Sequence, residues 1–176
     1  VGLCDKGKTF LINKLFGVHL PSGKLFATRG MSFYLVKERR LLVIDTAGVQ
    51  RTVSYRAQAA QSLLDGETTE AVVFEMVSRI AHQVIFVVND LTWFEQKCIV
   101  MFHQKCAQGH GAKDLIVVHN MRSTGLIGEA RELFSRQITQ CYDGHPSHLA
   151  ELTFTSDLGS GGPPVHHIGI CDEATA

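Results

Sequence analysis

The sequence has no excess charge of either sign. Its 17 lysines and arginines are matched by 17 acids, so it lacks the basic surplus with which proteins hold a nucleic acid by its phosphates, and no nucleic-acid partner is expected. Long apolar runs are missing too. The longest, LLVI at 41–44 and VIFVV at 84–88, are strand-length, far short of the ~20 residues that cross a bilayer. No transmembrane segment is expected, although a peripheral membrane role of a longer parent is left open. No disulfide framework is expected: Cys4, Cys98, Cys106, Cys141 and Cys171 are scattered and odd in number, and no signal peptide is expected before them. Reduced thiols in a cytoplasmic protein are the expectation. His145, His148, His166 and His167 stand near no cysteine pair and keep no fixed ligand spacing, so they read as surface histidines rather than a zinc centre.

What is present is a well-punctuated globular pattern, with 45% hydrophobic residues, a share that argues against disorder. Leu11, Ile12, Leu15 and Phe16 lie at helical spacing and Gly17 follows as a stop. Residues 17–31 read as a loop. Residues 32–37 and 41–45 read as two strands joined by the polar turn KERR, a hairpin. Helical patterns over 55–64 and 69–80 are separated by Asp65-Gly66. Residues 84–89 and 115–120 are buried strands. Thr92 can cap a helix running to about Cys106, and residues 128–141 form an amphipathic helix. Residues 143–164 end in GSGGPP, a linker-like composition, and read as a loop or insertion, with a last strand at 165–171. Apolar strands alternating with amphipathic helices predict an α/β fold, three layers around a mostly parallel sheet. The expectation is a single domain over 1–176, incomplete at both ends.

The stretch GLCDKGKT at 2–9 satisfies G-x-x-x-x-G-K-[ST] at every fixed position. The chemistry asks for each residue. Gly2 and Gly7 let the backbone curl its N–H groups inward around phosphate oxygens, and the helix that starts here adds its free amides and positive dipole end. Lys8 reaches the β and γ phosphates, and Thr9 offers a hydroxyl to Mg²⁺. Asp5, Lys6 and Phe10 complete the candidate phosphate-facing set. Downstream, LLVIDTAG at 41–48 places Asp45 at the end of a buried strand, where it can hold Mg²⁺ through water, and Gly48 where its N–H can meet the γ phosphate. Between the two, Thr28 of ATRG is the loop threonine able to close on metal and γ phosphate. Lys8 and Thr28 are therefore the candidate catalytic residues, and Thr9, Thr28 and Asp45 the candidate metal ligands.

The order GLCDKGKT, ATRG, DTAG resembles the first three motifs of the translation-factor-related P-loop GTPases. T-R-G before a strand is similar to T-K-G of guanylate-binding proteins and atlastins, large GTPases of the dynamin superfamily, and IFVVND-LTWFEQK at 85–97 is similar to the strand and helix before their fourth motif. The resemblance covers most of 1–142. It implies a Ras-like G domain, GTP and GDP as ligands, Mg²⁺ as cofactor, and a homodimer formed across the nucleotide face.

The pattern also departs from the family. The fourth motif, [NT]-K-x-D, reads VVHNMRST here: Asn120 keeps the first position, Met121 replaces Lys, and Ser123 replaces the Asp that accepts hydrogen bonds from guanine. Guanine stays the favoured base, with adenine as the competing reading. After DTAG comes Val49 in place of the glutamine that orients water, and an apolar side chain cannot position water. Hydrolysis in the isolated chain is expected to be slow. Asp5 stands where guanylate-binding relatives carry an internal arginine finger, and is a candidate to hold a monovalent cation such as K⁺ beside the phosphates. The competing functions are a nucleotide switch without turnover, an ATP-using P-loop protein, and a decayed module that binds no nucleotide.

Overall fold

The computed structural model describes residues 1–2, 6–21, 30–48, 59–89, 91–108, 114–122, 124–159 and 161–171. The chain divides into two compact units, Val1–Met76 and Val77–Ala176.

In the first unit, helix α1 (Lys8–Phe16) starts at Gly7, in the left-handed region at φ 89°, and stops at Gly17. The Leu11 amide donates to the Gly7 carbonyl at 2.9 Å, closing the first turn. Leu11 is the buried residue of the helix. Strands β1 (Met31–Val36) and β2 (Leu41–Thr46) pair antiparallel with Ser32 opposite Asp45. A 3-10 turn over Lys37–Arg39 joins them, ending on Arg40 at φ 51°. Burial along β2 rises toward its end: Leu41 and Leu42 are exposed, whereas Asp45 and Thr46 are buried.

Helix α2 (Ala59–Ile80) is continuous through Asp65 and Gly66, where two segments were expected. A glycine in a helix costs about 1 kcal/mol relative to alanine, too little to end one whose neighbours bridge the site. The Thr69 hydroxyl donates to the Asp65 carbonyl at 2.7 Å and Gln61 Nε2 to the Asp65 carboxylate at 2.8 Å.

The second unit is built on a sheet of order β3-β4-β7-β6-β5, where β3 is Gln83–Val88, β4 Asp114–Asn120, β5 His145–Pro146, β6 Thr153–Ser156 and β7 Val165–Ile170. β3, β4 and β7 run parallel; β6 and β5 extend the sheet antiparallel. The stretch whose composition reads as a loop thus supplies two short strands. Its glycine-rich end is tied down as well, since His103 Nε2 donates to the Pro163 carbonyl at 2.7 Å. Helix α3 (Trp93–Gln108) opens on a reciprocal cap: the Glu95 carboxylate accepts from the Thr92 amide at 3.0 Å, and the Glu95 amide donates to the Thr92 hydroxyl at 3.4 Å. Helix α4 (Ile127–Tyr142) buries Ala130, Phe134, Ile138 and Tyr142, one residue per turn. Phe102 of α3 lies 6.5 Å from Phe86 of β3, and Phe134 of α4 lies 5.5 Å from Phe154 of β6, ring to ring. Phe86 and Val117 share a register position on neighbouring strands, as do Phe154 and His167, so both helices cover one face of the sheet. Trp93, for which burial is the default, is 72% exposed, its ring beside Lys97. The fold is α/β with a mostly parallel sheet in its core unit, and no helix among the described residues is long and apolar enough to cross a membrane.

Candidate functional site

The phosphate-loop residues Gly2, Lys6, Gly7, Lys8, Thr9 and Phe10 belong to the first unit, as do Asp45 and Gly48. Gly2 sits at φ 140° and Gly7 at φ 89°, backbone that a side chain disfavours; the two fixed glycines of the motif are the ones placed there. Asp5, Thr28 and Val49 lie outside the described residues. Gly2, Asp45 and Gly48 are buried, Lys6, Gly7, Lys8 and Thr9 are half-buried, and Phe10 is exposed with the Lys14 ammonium 5.8 Å from its ring centre.

The decisive contact joins two motifs that are 36 residues apart. Thr9 Oγ1 donates to Asp45 Oδ2 at 3.0 Å. Both side chains were expected at a metal, from independent motifs, and the fold brings them into one hydrogen bond. Asp45 is only 2% exposed, and a carboxylate so placed needs a partner. The pair also fits a hard cation. A hydroxyl and a buried carboxylate are hard oxygen donors of the kind Mg²⁺ prefers, and Thr9 directly, with Asp45 through water, would hold it here. A divalent ion held there would supply positive charge beside the buried carboxylate and the phosphate loop. Next to Asp45, Thr46 is 1% exposed and its hydroxyl has no partner among the described residues. Spacing alone gives no signal for it.

Residues 1–121 match the family described as 50S ribosome-binding GTPase. The chain belongs to that family. A heat shock protein of Dictyostelium discoideum is 30% identical over 153 residues, which make up 84% of this chain and 23% of that protein, so the chain spans about a quarter of this relative's length. No solved structure matches the chain. This GTPase chain therefore carries a P-loop G domain, and the family supports GTP binding.

The fourth-motif residues lie in the second unit. Asn120 closes β4, and its Oδ1 accepts from the Arg122 amide at 3.3 Å. The Met121 amide donates to the Ile170 carbonyl at 2.8 Å, tying the end of β4 to the end of β7. Met121 is 5% exposed and packs as a core residue.

The largest departure from expectation in this chain is His167, read as a surface residue. It is fully buried, as is His119. His119 Nε2 and His167 Nδ1 are 3.2 Å apart, and the Ser156 hydroxyl is 2.8 Å from His167 Nε2. Each neutral ring holds one N–H, so the protons of this chain run in one of two directions. In either, His119 Nδ1 is left without a partner among the described residues. Burial, reinforced by the neighbouring His167, pushes His119 down to about 3; burial and then His166 push His167 down to about 4. Burial lifts the Tyr142 phenol above its usual range, with Cys141 and Glu95 adding to it. The strand alternation of HHIGI carried the signal: only one of two adjacent histidines can face the core. Among the described residues no cluster of three or more His, Cys, Asp and Glu side chains is placed to hold a metal ion.

Proposed function

We propose that this chain binds Mg·GTP along residues 2–10 and acts as a nucleotide switch that hydrolyses GTP slowly. The observation that carries the reading is the Thr9–Asp45 contact at 3.0 Å, which joins the metal-holding residues of two motifs. In this reading Lys8 supplies the cation for the β and γ phosphates, Thr9, Thr28 and Asp45 hold Mg²⁺, and Gly48 meets the γ phosphate. Mg²⁺ held by these residues would supply positive charge to offset that developing on the phosphates. Thr28 and DTAG sense the triphosphate, and their ordering is the switch. Asn120 and Met121 contribute toward the base, Lys6 and Phe10 flank the loop, and Asp5 holds a monovalent cation that stands in for a missing catalytic charge. The likeness of TRG and of residues 85–97 to guanylate-binding proteins and atlastins supports a larger cytoplasmic GTPase that pairs with a second copy across its nucleotide face.

A second reading, an ATP-using P-loop protein, is favoured by one observation: Met121 and Ser123 replace the Lys and Asp of the fourth motif. Titration of GTP against ATP at fixed Mg²⁺ separates the two. The GTP reading expects guanine preference and loss of both nucleotides in Lys8→Ala; equal affinities or an ATP preference would replace it with the second. Phosphate release with and without K⁺ then tests turnover, and none under either condition leaves a switch without hydrolysis.

A further inference from the structure

Two elements of the first unit carry apolar side chains into solvent, and their charges are opposite. The first is the β1–β2 hairpin. Strand pairing sets Leu35 opposite Leu42 and Phe33 opposite Ile44. Side chains alternate along a strand, so these four share one face. Phe33, Leu35 and Leu42 are each more than half exposed, and Ile44 is half-buried. The other face turns inward: Val36 and Asp45 are buried there, and Asp45 meets Thr9 of α1. The turn adds Lys37, Arg39 and Arg40 against the single acid Glu38, all four exposed.

The second element is α2. Leu64, Val72 and Met76, eight and four residues apart, run along one side of the helix and are exposed. Residues 61–65 and 67–69 are exposed all round, so the first turns of the helix have no packed face. Most helical stability in a protein comes from such a face, and this segment contains Gly66 and two threonines, which are weak helix formers. Up to Met76, α2 carries Asp65, Glu67, Glu70 and Glu75 and no Lys or Arg.

An apolar face alone names no partner, but the charges select one. Two hairpins laid face to face would oppose cations to cations, and two α2 helices acids to acids. Like charges set against each other across an interface are strongly disfavoured. Hairpin against helix satisfies both surfaces, pairing Phe33, Leu35 and Leu42 with Leu64 and Val72, and the basic turn with the acids. The lengths agree as well. The hairpin runs ~10 Å from Phe33 to its turn, and α2 runs ~10 Å from Val72 to Asp65. Phe33 over Val72 therefore sets Arg39 and Arg40 beside Asp65 and Glu67.

We propose that the β1–β2 hairpin of one copy of this chain docks on α2 of a second copy. The contact is heterologous, so each added copy leaves one hairpin and one helix open, and pairing continues into a ring or a filament. Side chains on two faces make it, not free strand edges. It is separate from pairing across the nucleotide face and needs no bound nucleotide. A hairpin face covers less than the ~800 Å² per partner of a stable interface, so the contact is weak and forms at concentrations on the order of tens of micromolar.

The test is sedimentation velocity of the chain without added nucleotide, from about 1 to about 200 μM. The parent's average mass should climb past that of a dimer. The hairpin variant Leu35→Glu, Leu42→Glu and the helix variant Leu64→Glu, Val72→Glu should each associate about a hundredfold more weakly and stay monomeric, with circular dichroism and thermal melts confirming that they fold. Mixed, the two variants own one sound hairpin and one sound helix between them, so they should form a one-to-one dimer and stop. Charge is tested apart from apolar packing and at positions tolerant of change: Arg39→Glu with Arg40→Glu should weaken assembly, and adding Asp65→Arg with Glu67→Arg in the same chain should restore it. A parent that stays monomeric, a mixture of folded variants that stays monomeric, or a charge exchange that restores nothing would overturn the docking. A monomeric parent that sediments with anionic vesicles through Arg39 and Arg40 would give the hairpin to a lipid surface and overturn it too. Lys8→Ala should assemble as the parent does; assembly lost in Lys8→Ala and kept in both leucine variants would belong to the nucleotide face instead.

Discussion

Each of the two units buries a small polar system, and the two differ in what they are made of. In the first, Thr9 and Asp45 bring two oxygens to 3.0 Å, next to a loop whose glycines adopt backbone suited to cradling an anion. In the second, Ser156, His167 and His119 form a chain across β6, β7 and β4, roofed by Phe134 and Tyr142. By the size of the pKa displacement alone, the histidine chain would be chosen as the functional centre. Its rings are neutral, enclosed by aromatic side chains, and hydrogen-bond to one another, with His119 Nδ1 left without a partner among the described residues. The oxygen pair has hard donors, one of them a buried carboxylate, and a phosphate loop beside it. Burial makes polar groups costly wherever they are; the kind of donor and the backbone around it separate a site from a structural network.

That contrast can be broken or sharpened by experiment. The largest effect should come from the oxygen pair. Thr9→Ala or Asp45→Asn is expected to lower Mg·GTP affinity about a hundredfold and to flatten its dependence on Mg²⁺, read by titration from zero to a few millimolar magnesium. His167→Gln in the same assay should leave nucleotide affinity within twofold, and a comparable loss there would erase the distinction.

The histidine chain should instead govern stability against acid. Both folded pKa values lie below the unfolded value near 6.5, so the unfolded chain takes up more protons as pH falls. The stabilisation is fully present above the unfolded value and is lost as pH drops toward 4. Between pH 7 and pH 5 the loss should be roughly 2 kcal/mol for each of the two histidines, measured by urea melts. The double variant His119→Gln, His167→Gln should show a shallower slope over that window.

A smaller effect is expected at the base end. Met121→Lys with Ser123→Asp should raise the preference for GTP over ATP about tenfold, ~1.4 kcal/mol. An unchanged ratio would mean that the base is read elsewhere. Smallest is Thr92→Ala, which removes the cap of α3 and should cost about 1 kcal/mol of stability while leaving nucleotide affinity alone.

The parts of the fold legible in the sequence were those written in punctuation. Gly7 and Gly17 bracket α1, KERR closes the hairpin, and the apolar runs at 84–88 and 115–118 became β3 and β4. Thr92 announced α3 through a short-range capping pattern. The illegible parts depended on partners far along the chain. Asp65-Gly66 reads as a break because glycine is a weak helix former, but Gln61 and Thr69 hold Asp65 from either side. TFTS looks polar, yet strand alternation sends Phe154 and Ser156 inward beneath α4 and leaves the threonines less covered. His167 was misplaced for the same reason. The contact between Thr9 and Asp45 was foreseeable as chemistry, since both motifs name a metal ligand.

The antiparallel extension ends on β5, whose two residues are His145 and Pro146. Proline has no amide hydrogen to donate, so the outermost rung of the sheet presents a gap where a foreign backbone would look for a bond. A sheet that finishes this way is poorly suited to recruiting strands from other molecules at that rim. Crowded copies of the chain thus meet a blunted border on that side, a guard against fibrous assembly written in one imino acid.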